Sequence, residues 1–136
     1  MFFLFAIDVS RAADNVIANE RELREECSYD LVGMRECLIE KQIASEVNLT
    51  LANKKVYKTL TQWDEDQNYI KAAKVKLAAA EKAFIVYRNA QCQFAASLGG
   101  GAIGNALDTM RFACVADLNN KRAEQLRNAI FALPLK

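Results

Sequence analysis

The chain has 136 residues, with 18 basic and 17 acidic side chains and a formal net charge of +1. This length predicts a single domain with a buried core, and a single proline excludes collagen-like and proline-rich architectures. The chain has no histidine, which removes the commonest general base and histidine metal ligands. Because the charge is nearly neutral and the lysines are scattered, we predict no nucleic-acid partner.

The first residues have the pattern of the end of a secretion signal. An apolar run covers Met1 to Ile7, and small residues at Ser10 and Ala12 precede a cleavage point after Ala12. We therefore expect residues 1–12 to be a signal-peptide remnant and residues 13–136 to form one helical domain of a periplasmic or secreted protein. A buried N-terminal hydrophobic segment is the alternative. No apolar run approaches the ~20 residues that a membrane-spanning helix needs, so no membrane span is predicted.

Four cysteines, Cys27, Cys37, Cys92 and Cys114, indicate an oxidising compartment. An even number in a short exported chain predicts two disulfides, and the absence of a C-x-x-C pair disfavours a zinc site. Of the connectivities that four cysteines allow, we favour Cys27–Cys37, which would close a helix corner, and Cys92–Cys114, which would join two helices across a glycine-rich turn. Four reduced thiols in the core are the alternative.

The spacing of apolar residues predicts two helices in the first half of the chain. A short helix is expected from about Asn15 to Cys27, and a long second helix from an N-cap at Asp30 to about Thr61. Three- and four-residue spacing predicts its inner face, which consists of Met34, Leu38, Ile39, Ile43, Val47, Leu51, Val56 and Leu60. An acidic cluster from Asp64 to Asp66 then marks the start of a third helix, where negative charge favours the helix dipole.

The third helix has two sets of residues that repeat every seven positions, as in an a/d packing seam. One set is Ile70, Leu77, Phe84 and Gln91, and the other is Ala73, Ala80, Tyr87 and Phe94. Glycines from Gly99 to Gly101 end this helix, and a fourth helix is predicted from about Asn105 to Leu133. Its predicted inner face is Leu107, Met110, Cys114, Leu118, Arg122, Leu126 and Ile130. Together these elements predict an all-α fold, in which a short N-terminal helix and three longer helices form an antiparallel bundle stapled by two disulfides.

One segment carries a family motif. Residues 79–92, with the sequence AAEKAFIVYRNAQC, contain small residues, an aromatic side chain and a Tyr-Arg-Asn-Ala-x-Cys pattern, and a Gly-Gly turn and a further cysteine follow. The motif residues are Phe84, Tyr87, Arg88, Asn89, Cys92, Gly99 and Gly100. The pattern resembles the LprI-type lysozyme-inhibitor family of exported helical domains, over about residues 79–127. Asn89 stands where that family usually has Asp, and Phe84 stands where Trp is common.

The motif also has a packing interpretation. Phe84 and Tyr87 lie on the predicted seam of the third helix, which favours a role in the core over contact with a ligand. Arg88 is one position off the seam, and we expect its long side chain to pair with a carboxylate of the acidic second helix. A shared motif of this kind can build the fold without defining the function.

The resemblance implies a protein that binds and inhibits a lysozyme. The alternative is a structural or stress-related envelope protein with another protein partner. Because the sequence has no histidine, no phosphate-binding loop and no metal-binding cluster, we predict neither enzyme activity nor a cofactor.

The charge is divided unevenly along the chain. Residues 14–53 contain nine acidic and four basic side chains, whereas residues 54–136 contain seven acidic and thirteen basic ones. One interpretation is that the two halves complement each other within the fold or across a homodimer. The other is that the acidic half binds a basic protein such as a lysozyme, since an acidic surface would attract it.

Inhibition without covalent chemistry requires occlusion, and a break between helices is the expected contact. The first candidate is the acidic corner around the Cys27–Cys37 bridge, with Glu25, Glu26, Tyr29 and Asp30. The second is the turn that carries Trp63, Asp64 and Asp66. Both combine acidic groups with an aromatic anchor, so both are ranked above the uncharged turn from Gly99 to Gly104.

Overall fold

The computed structural model describes residues 17–30, 33–102 and 104–136, and within them it contains four α-helices. They are α1 (Glu20–Cys27), α2 (Met34–Gln62), α3 (Gln67–Ser97) and α4 (Asn105–Ala129). The predicted all-α bundle is confirmed. An isolated antiparallel backbone bridge joins Trp63 to Leu135. The predicted signal-peptide remnant, residues 1–12, lies outside the described residues.

The first two helices begin where local caps place them. Asn19 caps α1, because its side-chain oxygen accepts a hydrogen bond from the Glu22 backbone N–H at 2.9 Å. The start predicted for this helix, near Asn15, lies outside the described part of the chain. The prediction that Asp30 is the N-cap of α2 is wrong. Its backbone N–H donates to the carbonyl oxygen of Cys27, so Asp30 belongs to the turn after α1. Gly33 takes that position with φ of 113°, which glycine tolerates best.

Helix α4 lies at the centre of the molecule and packs against α1, α2 and α3. Six consecutive residues, Phe112 to Asp117, are buried. Because neighbouring helices cover α4 on several sides, its buried surface is wider than the single inner face predicted from the sequence. The helix ends at Ala129 rather than near Leu133.

The predicted inner face of α2 is wrong in its middle third. Ile43, Val47 and Leu51 are 55%, 55% and 56% exposed, whereas Ser45 and Ala52 are buried against α4. Leu49 is buried between them, so the side of α2 that contacts α4 carries one large apolar residue between two small ones and lies away from the predicted face. An apolar stripe therefore remains on the outer side of α2.

The predicted seam of α3 is half correct. Ile70 is buried and Phe84 is half-buried, but Tyr87 and Phe94 are 56% and 57% exposed. In the second predicted set, the partly buried residues are instead those one position later in the chain, which include Glu81 and Arg88. These charged side chains have partners on α4, and apolar periodicity cannot indicate a contact face that contains paired charges.

Both predicted disulfides are confirmed. Cys27 bonds to Cys37 and Cys92 bonds to Cys114, with Cα–Cα distances of 5.5 and 5.4 Å. The second bridge fastens the α3–α4 hairpin close to its glycine-rich turn. A Cβ atom at Gly99 would lie 2.6 Å from the Leu107 Cδ2 atom, so a larger residue there would require the Leu107 side chain to shift.

Candidate functional site

The family motif forms a polar brace between three helices. Arg88 Nη1 donates a hydrogen bond to Asn119 Oδ1 at 3.0 Å, and Asn119 Nδ2 donates to Ser45 Oγ at 3.1 Å. Asn119 and Ser45 are 0% and 1% exposed. Arg88 therefore connects α3 through α4 to α2, and buried polar groups satisfied in this way fix how helices pack. The predicted pairing of Arg88 with a carboxylate of α2 is wrong, because its guanidinium bonds to the side-chain oxygens of Asn119 and Asn89.

Asn89 holds the other side of the same guanidinium. Its Oδ1 atom accepts hydrogen bonds from Arg88 Nε at 3.2 Å and from Arg88 Nη2 at 3.0 Å. An aspartate at this position would offer an acceptor of the same shape. Asn89 therefore orients the guanidinium without adding a negative charge.

Phe84 lies between two arginines. The guanidinium carbons of Arg88 and Arg122 are each 5.9 Å from the centroid of its ring, a cation–π distance. Arg122 Nε also pairs with Glu81 Oε1 at 3.1 Å, and both side chains are largely buried. Beside them lies a shallow depression of about 420 Å³, lined by Phe84, Tyr87, Leu118, Lys121, Arg122 and Gln125. Most motif side chains are thus occupied in joining α3 to α4, whereas Tyr87 projects beside this depression.

The acidic corner presents one aromatic side chain to solvent. Tyr29 is 88% exposed and stands on the turn closed by the Cys27–Cys37 disulfide. Two of the acidic groups have basic neighbours: Glu26 Oε1 is 2.6 Å from Lys41 Nζ, and Glu25 Oε1 is 3.9 Å from Arg21 Nε. A depression of about 490 Å³ lies beside this corner, lined by Glu26, Tyr29, Asp30, Cys37, Glu40, Lys41 and Ala44.

The Trp63 turn is arranged differently. Trp63 is half-buried and packs against a cluster that includes Leu60, while the C-terminal segment bonds to its backbone neighbours. Asp64 N–H donates to the carbonyl oxygen of Pro134 at 2.9 Å, and Asp66 Oδ1 accepts from Asn68 N–H and caps α3. Asp64 and Asp66 are exposed, but the aromatic side chain of this turn does not project as Tyr29 does.

The structure does not bring the two candidate surfaces together. Helix α2 separates them, and its 29 residues span about 43 Å. The glycine-rich turn lies at the same end as the acidic corner, where Arg35 of α2 pairs with Asp108 of α4 at 3.7 Å. A partner that binds the acidic corner would therefore meet this turn before it reached Trp63.

Neither a metal site nor a membrane helix is found in the described residues. They contain no group of three cysteine, aspartate or glutamate side chains placed to hold a metal ion. None of the four helices is both long enough and apolar enough to cross a bilayer.

The sequence indicated only part of the hydrogen-bond network around Arg88. Arg88 and Asn89 stand in the motif, but Ser45 and Asn119 lie in helices where nothing marks them as partners of Arg88. Only their burial and their hydrogen bonds identify them. Ser45 lies off the predicted apolar face of α2, so helical periodicity could not have indicated it.

These features define a small α-helical domain held together by two disulfides, a type of protein found in oxidising compartments. The family model described as "Lysozyme inhibitor LprI" matches residues 25–126, a range that contains both disulfides and the whole motif. The chain therefore belongs to the LprI family, as the motif predicted. Neither a curated protein nor a solved structure gives a significant match to the chain.

Proposed function

We propose that this protein is an exported, non-enzymatic binding protein that inhibits a lysozyme by covering its substrate cleft. The acidic corner is the proposed contact. The observation that carries this choice is Tyr29, which is 88% exposed on a turn that a disulfide closes. Membership of a family described as lysozyme inhibitors supports the partner class, and the two disulfides fit a periplasmic or secreted location.

Rigidity and charge favour the acidic corner physically. A loop that is already closed by a disulfide loses less conformational freedom on binding, so more of the contact energy contributes to affinity. Tyrosine is among the residues that dominate protein interfaces, because its ring buries a large area and its hydroxyl forms hydrogen bonds. Glu25, Glu26 and Asp30 are exposed acidic residues close to Tyr29, and their charge would attract a basic partner and accelerate its association.

The Trp63 turn is the second proposed contact. Asp64 and Asp66 supply exposed negative charge there. It is ranked lower because Trp63 packs against the core cluster and presents less surface to a partner than Tyr29 does.

Lysozyme turnover titrated with purified protein tests the proposal. Glu25→Lys/Glu26→Lys and Tyr29→Ala should each weaken inhibition by about tenfold or more, and inhibition by the unchanged protein should weaken at high salt because exposed charges are screened. Asp64→Lys/Glu65→Lys reverses two exposed charges on the second proposed contact, leaves the Asp66 cap intact and should weaken inhibition less than the corner variants do.

Three outcomes would count against the proposal. If Asp64→Lys/Glu65→Lys abolishes inhibition and the corner variants keep it, the contact is the Trp63 turn. If inhibition survives every charge reversal and high salt, the electrostatic mechanism is wrong. If no lysozyme is inhibited, the alternative of a structural or stress-related envelope protein is favoured.

A further inference from the structure

The outer face of α2 carries an apolar stripe without a partner in the described part of the chain. Ile43, Val47 and Leu51 follow one another at four-residue intervals, so their side chains lie along one side of the helix. All three are more than half exposed. A single exposed apolar residue needs no explanation, but a row of three on one helix marks a candidate interaction surface.

Charged residues continue this stripe in both directions. Glu36 and Glu40 precede it on the same side of the helix, Lys54 and Lys58 follow it, and all four are exposed. Within the described residues none of the four belongs to an ion pair. Each pair consists of like charges four residues apart, an arrangement that is unfavourable in an isolated helix.

The whole stripe is symmetric about Val47. Ile43 and Leu51 lie four residues to either side, Glu40 and Lys54 lie seven residues away, and Glu36 and Lys58 lie eleven residues away. If a second α2 runs antiparallel across Val47, each glutamate faces a lysine and Ile43 faces Leu51. The repulsion within each like-charge pair is then offset by attraction to the opposite charges on the other copy.

We propose that the occupant of this face is a second copy of the same chain, in a two-fold symmetric dimer formed by antiparallel α2 helices. A self-complementary patch is what a two-fold interface requires, because the same surface serves both subunits. The contact from Glu36 to Lys58 is about 33 Å long. A single helix pair is a small interface, so we expect a reversible dimer with a dissociation constant in the micromolar range.

The outer face of α3 gives a useful contrast. Val75, Val86 and Phe94 are also well exposed there. However, the exposed charged residues of α3 are Lys71, Lys76 and Lys82, all of one sign. Two copies of that face would bring only positive charges to each other, so charge complementarity selects α2.

Sedimentation of the purified protein from about 1 µM to about 1 mM tests the proposal without any lysozyme, so its outcome is independent of the proposed inhibition. The unchanged protein should pass from monomer to dimer in this range. Val47→Glu places two carboxylates at the symmetry axis and should weaken the dimer at least about a hundredfold. Val86→Glu is the matched control, because it changes a 70% exposed valine in α3 in the same way and should leave the dimer unaffected.

Charge exchange tests the antiparallel pairing itself. Glu40→Lys alone and Lys54→Glu alone each create two like-charge contacts per dimer and should raise the dissociation constant about tenfold. The combined variant Glu40→Lys/Lys54→Glu restores opposite charges and should recover the original value within about threefold, with circular dichroism confirming that every variant is folded. A protein that stays monomeric up to about 1 mM overturns the proposal. It is equally overturned by a dimer that Val86→Glu breaks and Val47→Glu does not, or by a double variant that behaves no better than the single ones.

Discussion

Each disulfide closes one region, and the two regions differ in the exposure of their side chains. In the α3–α4 hairpin, Arg88 and Phe84 are engaged with neighbouring helices, and the Arg88 contact ends on a side chain that is 0% exposed. At the α1–α2 corner, Tyr29 is 88% exposed and acidic groups surround it. The segment by which the family is recognised therefore mainly builds the fold, whereas the surface that we propose as the partner contact lies in a segment that carries no motif.

Loss of either disulfide is expected to have the largest effect on stability, and the two losses should differ in function. Cys27→Ala/Cys37→Ala and Cys92→Ala/Cys114→Ala should each lower the free energy of unfolding by about 3 kcal/mol in the loop-entropy model. The second loss should be slightly greater, because its sequence separation is 22 residues against 10. Urea denaturation measures both values.

Inhibition of lysozyme then separates the two regions. At a temperature at which both variants are folded, only the corner variant should inhibit less, because only this change frees the turn that carries Tyr29. Equal loss of inhibition in the two variants would show that the hairpin also contributes to the contact.

Arg88→Ala is expected to have the next largest effect on stability. The change leaves the buried Asn119 Oδ1 atom without its donor, which should cost about 1–3 kcal/mol. Lys82→Ala removes an exposed charge from the same helix and should change stability by less than about 0.5 kcal/mol. Thermal denaturation of both variants measures the difference. An Arg88→Ala variant that keeps its stability but loses inhibition would show that the motif acts in the partner contact and not in the fold.

Much of the fold could be predicted because its signals are local. The disulfide connectivity follows from cysteines placed near two chain reversals, and the hairpin is marked by glycines between two helical patterns. The acidic residues before α3 also behave as expected, with Asp66 as its N-cap. Each of these features depends on a few neighbouring residues, so the sequence contains most of what is needed.

The helix faces were harder to predict because they depend on which side of each helix a neighbouring helix covers. Apolar spacing placed Val47 in the core, but the side of α2 that α4 covers there carries Ser45, Leu49 and Ala52. In α3, Arg88 is half-buried, and its hydrogen-bond partner Asn119 lies 31 residues further along the chain. A hydrophobic pattern contains no information about such distant pairs.

The exposure of the candidate contacts could not be predicted either. Tyr29 and Trp63 have similar acidic surroundings in the sequence. They differ in the structure because the C-terminal segment bonds to the backbone beside Trp63 and holds it near the core. The acidic corner has no such covering segment among the described residues, which is why Tyr29 projects.

Hydrogen exchange of this protein, alone and saturated with a lysozyme that it inhibits, would locate the partner contact. If the acidic corner is the contact, the complex should protect backbone amides in residues 25–30. Amides in residues 84–92, which contain the motif, should exchange as they do in the free protein. Protection confined to residues 84–92 would contradict the account, because it would place the partner on the segment that we assign to the fold.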